Sequence, residues 1–163
     1  QILNPHYIHL HNQNYFLQKN FIKFEYELDF NKLFEILSVN NFKSNLMSHW
    51  MLDHVLESCF KIKNVEKEEF FYDTYNKLNS SLNPENLPSD LDIFFSIIKG
   101  ARGPAHKDIE SVNIFGVYGR TLYFIDNEEI IVEKGDRLFI GKGVKHRSLG
   151  LTPRIILSFG VHD

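Results

Sequence analysis

A chain of 163 residues with 43% hydrophobic and 24% charged side chains has room for one domain with a real core. Eighteen basic against 21 acidic residues give a formal charge of −3 with no long basic run, which argues against nucleic acid or an anionic membrane as a partner. A single cysteine, Cys59, excludes an internal disulfide, and the longest apolar run, IFFSII at 93–98, is strand-sized; the expected setting is the reducing cytosol with no membrane span.

The first sixteen residues, QILNPHYIHLHNQNYF, lack the basic-then-apolar order of a secretion signal. His6, His9 and His11 are spaced for one face, but no carboxylate or cysteine accompanies them, so they read as a polar strand or loop rather than a metal site. FIKFEYE (21–27) alternates like a strand, and LDFNKLFEILS then places Leu28, Phe30, Leu33, Phe34 and Ile36 or Leu37 at helical spacing, with Asp29 or Asn31 as a cap. Two further amphipathic helices are expected over 44–62 and 64–82, packed on a sheet. His49 and His54 fall on the first of these and read as packed or solvated side chains. NSSLNPENLPSD (79–90) should break the helix and connect a helical first part, 1–90, to a β-rich core, 91–163, within one domain.

Beyond Leu91, the runs DIFFSIIKG, SVNIFGVYG, TLYFIDNEE, IIVEKGD, RLFIGKG and RIILSFGVH are rich in β-branched and aromatic residues and separated by turn signals. At least six strands in so short a stretch favour a small barrel or sandwich, mainly β with N-terminal helices, over any βαβ scheme. YGRT and DNEE look like hairpin turns, and Gly135-Asp136 opens the strand leading towards His146.

GPAHKDIE (103–110) carries the chemistry. On a strand, His106 and Asp108 point to one face while Lys107 faces away, so both can address one ion; His146 returns after several hairpins as a third ligand. Two histidines and one carboxylate leave coordination positions open, which suits non-haem Fe(II) and oxygen chemistry. A carboxylate pointing into a small barrel without a cation would be badly desolvated, which favours a metal over three unrelated polar residues.

GDRLFIGKGVKH resembles the second motif of cupins, with Gly141 where a proline commonly stands and Gly150 in place of an asparagine. Gly100, His106, Asp108 and Gly119 echo the first motif, although Asp108 replaces the second histidine of the germin-like form and Val112 stands about where its glutamate would. GPAHKDIESVNIFGVYGRTLYFI followed by VEKGDRLFIGKGVKHRS resembles, over roughly residues 92–162, the core of the JmjC-type 2-oxoglutarate and Fe(II)-dependent oxygenases, which include ribosomal-protein hydroxylases. The resemblance implies a cupin-like double-stranded β-helix, or jelly-roll barrel, with His106, Asp108 and His146 holding Fe(II) and 2-oxoglutarate as co-substrate of a dioxygenase (hydroxylase).

That family usually clamps the distal carboxylate of 2-oxoglutarate with a Lys or Arg on the strand after the H-x-D strand, where this chain has Thr121 with Arg120 beside it. Alternation turns at most one of these inward. Related oxygenases use an Arg of the final strand, and TPRIILSFG supplies Arg154 with Ser158 four residues on. A guanidinium is the natural carboxylate clamp, so Arg154 ranks first, Thr121 and Ser158 follow as hydroxyl partners, and Arg120 comes after them. Tyr118 and Tyr123 could add a phenol hydrogen bond. The substrate, a protein side chain or a small molecule, is left open, and the helices over 44–82 offer a face on which two copies could pair. The competing readings are a metal cupin whose reaction needs no 2-oxoglutarate, and a non-catalytic small-molecule-binding cupin.

Overall fold

In the computed structural model, residues 2–3, 9–10, 14–39 and 58–162 are described. Short strands β1 (Ile2–Leu3), β2 (His9–Leu10), β3 (Tyr15–Gln18) and β4 (Ile22–Lys23) lead to helix α1 (Phe30–Val39). Strand β5 (Phe60–Ile62), a 3₁₀ turn (Val65–Lys67) and helix α2 (Glu69–Leu82) follow. Seven strands complete the chain: β6 (Ser89–Ser96), β7 (Val112–Tyr118), β8 (Thr121–Ile125), β9 (Glu128–Val132), β10 (Arg137–Ile140), β11 (His146–Gly150) and β12 (Arg154–Val161).

A large antiparallel sheet has the order β2-β3-β10-β7-β12-β6-β5 and faces a small one, β11-β8-β9. Alternation divides the side chains of the large sheet between two cores. Leu91, Ile93, Phe115, Leu157 and Phe159 pack outward against Leu33 and Ile36 of α1 and Phe71 and Leu78 of α2. Ile114, Leu138, Ile140 and Ile156 point inward and meet Tyr123, Ile125, Ile130 and Val132 of the small sheet. A barrel results, with its helices on one outer face.

Local chemistry fixes several boundaries. Asp29 caps α1, its carboxylate accepting from the Lys32 amide at 2.8 Å. Asn83 ends α2, its side-chain nitrogen donating to the Leu87 carbonyl (2.7 Å) while its oxygen accepts from the Leu87 amide (3.0 Å). The helix therefore runs through Asn79-Ser80-Ser81 to Leu82, and the connector is shorter than composition suggests. The β8–β9 hairpin turns at Asp126 and Asn127, both at positive φ (48° and 65°), the two-residue turn expected of DNEE.

Three other expectations are corrected. In 21–27 only Ile22–Lys23 is a strand. Of the helix expected over 44–62, residues 44–57 lie outside the described residues, as do His49 and His54, and Phe60–Ile62 forms strand β5, held by pairing with Phe95, Phe94 and Ile93. YGRT is no hairpin: β7 pairs with β10 and β12, whereas β8 pairs with β9 and β11, so the chain crosses here from the large sheet to the small one. β11, beginning at His146, brings the β-rich part to seven strands, in keeping with the expectation of at least six. Of the N-terminal histidines, His9 pairs through its backbone with Leu17, and His6 and His11 lie outside the described residues. No helix among the described residues is long and apolar enough to cross a membrane.

Candidate metal centre

His106 and His146 form an isolated antiparallel bridge, each amide donating to the other's carbonyl at 2.9 Å. Residues directly opposite in such a bridge project to the same side, so the backbone itself brings the two imidazoles together, with ring centroids 4.3 Å apart. Asp108 arrives differently from the alternation argument. It lies beyond the bridge in a loop, pinned where the Gly143 amide donates to its carbonyl (2.9 Å) and the Lys142 amide donates to Ser111 Oγ (3.2 Å). Gly143 is at φ 75°, a conformation glycine adopts without strain.

The carboxylate stands between the imidazoles, Asp108 Oδ1 at 3.6 Å from His106 Nε2 and Oδ2 at 3.5 Å from His146 Nε2. One ligand atom from each residue falls within 4.8 Å of the others, the only such His/Cys/Asp/Glu group among the described residues. His106 Nδ1 lies 3.0 Å from the Pro104 carbonyl and His146 Nδ1 lies 2.9 Å from that of Val144. A carbonyl can only accept, so each Nδ1 donates to it, which leaves each Nε2 as the atom that would ligate a metal. Burial pushes His146 below the ordinary imidazole range, and a second imidazole alongside acts in the same direction, against the Val144 carbonyl and Asp108. The donor set fits a divalent metal of the 2-His-1-carboxylate kind, which His106, Asp108 and His146 would hold.

Inside the barrel, Thr121, Tyr123 and Ile125 of β8 lie opposite Gly150, Ser148 and His146 of β11. Segment 100–106 runs along the free edge of β11, bonded at Gly150, Ser148 and His146, and so completes that wall. Arg154 enters from β12 at the Thr121–Gly150 end and is 1% exposed. Its Nε donates to Ser96 Oγ (3.1 Å) and its Nη2 to the Ala101 carbonyl (3.2 Å), while Nη1 is the one buried side-chain polar atom without a partner among the described residues. A Cβ on residue 150 would stand 3.3 Å from Arg154 Nε, so glycine there leaves the guanidinium its place. No described carboxylate pairs with this buried cation, an expensive arrangement unless an anion joins it. Tyr123 is buried beside it; desolvation pushes its phenol up, with the Arg154 charge opposing.

The expected site residues therefore divide. His106, Asp108 and His146 converge, and Arg154 and Thr121 meet at one end of the same interior. Ser158 shares the inward face of β12 but sits further along, opposite Asp92 and Ile114. Arg120 is not brought to the interior: it is exposed on the crossover, with Nε 3.6 Å from Glu133 Oε2. Tyr118 is exposed and packs edge-on to Phe30. Ser96, which holds Arg154, and the Glu110–His162–Asp90 cluster were not singled out by the sequence. His162 bonds to Glu110 through Nδ1 and to Asp90 through Nε2 (3.0 Å), tying the H-x-D loop to the ends of β6 and β12.

No protein-family model matches the sequence, and no curated protein does. Solved structures do. YcfD, a ribosomal oxygenase from Escherichia coli, in complex with cobalt and 2-oxoglutarate superposes with a TM-score of 0.71 at 19% identity over 91% of this chain and 48% of that one. The same enzyme with cobalt and succinic acid gives 0.69 at 18% identity with the same coverage. The chain spans about half the length of these structures. Its architecture is a cupin-type jelly roll, the fold shared with these oxygenase structures.

Proposed function

We propose that this protein is an Fe(II)- and 2-oxoglutarate-dependent oxygenase that hydroxylates a C–H bond. The observation that carries the reading is a His106–Asp108–His146 donor set opening into the same barrel interior that buries Arg154 with a free Nη1. Iron bound there would supply the redox chemistry that couples decarboxylation of 2-oxoglutarate by oxygen to oxygenation of a substrate. The chain's own contribution is positioning. Backbone carbonyls accept from Nδ1 of His106 and His146, which would leave each Nε2 to the metal beside the carboxylate of Asp108.

Arg154 offers a guanidinium donor to a carboxylate in a water-poor interior, where a charge-assisted pair is strong, and Thr121 lies at that end as a hydroxyl partner. Ile125 and Ile156 help keep the interior dry. Thr121 stands where the JmjC-type pattern has a basic residue, and Arg154 would supply the missing charge from β12 of the facing sheet. The test is oxygen-dependent conversion of 2-oxoglutarate to succinate by the Fe(II)-loaded protein. Succinate from the wild type and none from Asp108→Ala supports the reading. Iron binding without succinate in the presence or absence of candidate substrates favours instead a metal cupin that does not use 2-oxoglutarate.

A further inference from the structure

The chain is net acidic, yet its metal-bearing segments are not. Segments 97–111 and 141–149 hold six cations, Lys99, Arg102, Lys107, Lys142, Lys145 and Arg147, all exposed, against two carboxylates. Both carboxylates are engaged, Asp108 between the two imidazoles and Glu110 with His162. None of the six cations forms an ion pair among the described residues.

Two of them converge. Arg102 bridges Leu149, and Arg147 lies two residues before Leu149 on the same outer face of the small sheet, so the guanidiniums are diagonal neighbours. Arg147 is held over the ring of Phe124, the residue opposite it on β8, at 4.4 Å. With Ser148 and Leu149 these side chains line a depression of about 140 Å³. Adjacent like charges repel, and no ion pair among the described residues neutralises either of them; an anion would.

We propose that this depression is a docking site for an acidic, partly apolar segment of a protein substrate, whose carboxylates seat on Arg102 and Arg147. The proposal rests on the oxygenase reading for the word substrate. Half-exposed Leu149, which lines the depression, is continued beside it by half-exposed Leu122 on β8 and exposed Ile131 on β9, and this row suits apolar side chains between the carboxylates. A nucleic acid fits less well. The Phe124 ring is covered by Arg147 and offers no stacking platform for a base.

The test is fluorescence anisotropy with the full chain and three labelled probes: a peptide of alternating aspartate and leucine, its asparagine counterpart, and an oligouridylate of equal length. The acidic peptide should bind saturably and more weakly as salt rises, the asparagine peptide should bind at least about tenfold more weakly, and Arg102→Gln with Arg147→Gln should lose at least about tenfold. Equal binding of both peptides, unchanged binding by the double variant, or tighter binding of the oligouridylate overturns the proposal. The probe assay needs neither metal nor co-substrate. Co(II) binding by the double variant, expected unchanged, shows that the variant is folded, and the fate of the oxygenase reading is decided separately by succinate formation.

Discussion

Replacing Arg154 by methionine separates a co-substrate clamp from a structural cation. The substitution removes hydrogen bonds to Ser96 Oγ and the Ala101 carbonyl, worth about 1.5–3 kcal/mol each as bonds from a charged donor. It also relieves the burial of a guanidinium that is 1% exposed and lacks a counter-charge, a cost of several kcal/mol. These contributions oppose each other, so the unliganded variant should stay within about 1 kcal/mol of the wild type, or about 2–4 °C in Tm for a chain of this size. Co-substrate binding should respond differently. With Mn(II) in place of iron and 2-oxoglutarate at about a hundred times its Kd, the wild type gains about 2.7 kcal/mol, or about 5–10 °C. Loss of a buried charged partner costs about 2–5 kcal/mol of affinity, so at the same concentration the shift shrinks to about 3 °C or less in Arg154→Met. Differential scanning fluorimetry with and without 2-oxoglutarate reads both quantities. A full shift retained by the variant refutes the clamp, as does a collapse of the unliganded variant by several kcal/mol with ligand affinity intact.

His146→Ala removes the most buried of the three ligands and should weaken Co(II) binding at least about a hundredfold by spectroscopic titration, with the fold retained by circular dichroism. The Asp90 hydrogen bond, helped by Glu110, holds His162 above the ordinary imidazole range. Its contribution to stability is therefore fully present below the ordinary value of about 6.5 and fades as pH rises through the raised one, so His162→Ala should lower Tm in mildly acidic buffer and converge with the wild type in alkaline buffer. Gly116→Ala would drive a Cβ into the Glu133 carbonyl where the chain crosses between sheets; chemical denaturation should show a loss of about 3 kcal/mol.

Much of the core was legible because a half-buried strand writes itself as alternation: the runs around 91–96, 112–118, 121–125 and 154–161 all became strands. The convergence of His106, Asp108 and His146 was legible because a short H-x-D and a G-x-G-x-x-H stretch carry them. What escaped was non-local. Phe60–Ile62 lies in a stretch whose apolar spacing also suits a helix, and only pairing with β6 makes it a strand. The turn at Gly119-Arg120 has hairpin chemistry, but no turn signal states which sheet the next strand will join. Arg120 stood last among the clamp candidates after Arg154, Thr121 and Ser158, and the crossover sends it to solvent beside Glu133. Glu110, His162 and Asp90 come from three distant segments, and nothing local to any of them announces the cluster.

The central claim is that a metal held by His106, Asp108 and His146 shares one cavity with a 2-oxoglutarate clamped by Arg154. Anaerobic titration of the Fe(II)-loaded protein with 2-oxoglutarate tests it most directly, because the metal-to-ligand charge-transfer band appears only when the co-substrate chelates the iron. The account predicts a saturable band in the wild type that is absent in Asp108→Ala and shifted to much higher 2-oxoglutarate concentration in Arg154→Met. Tight Fe(II) binding with no band at any 2-oxoglutarate concentration would contradict it.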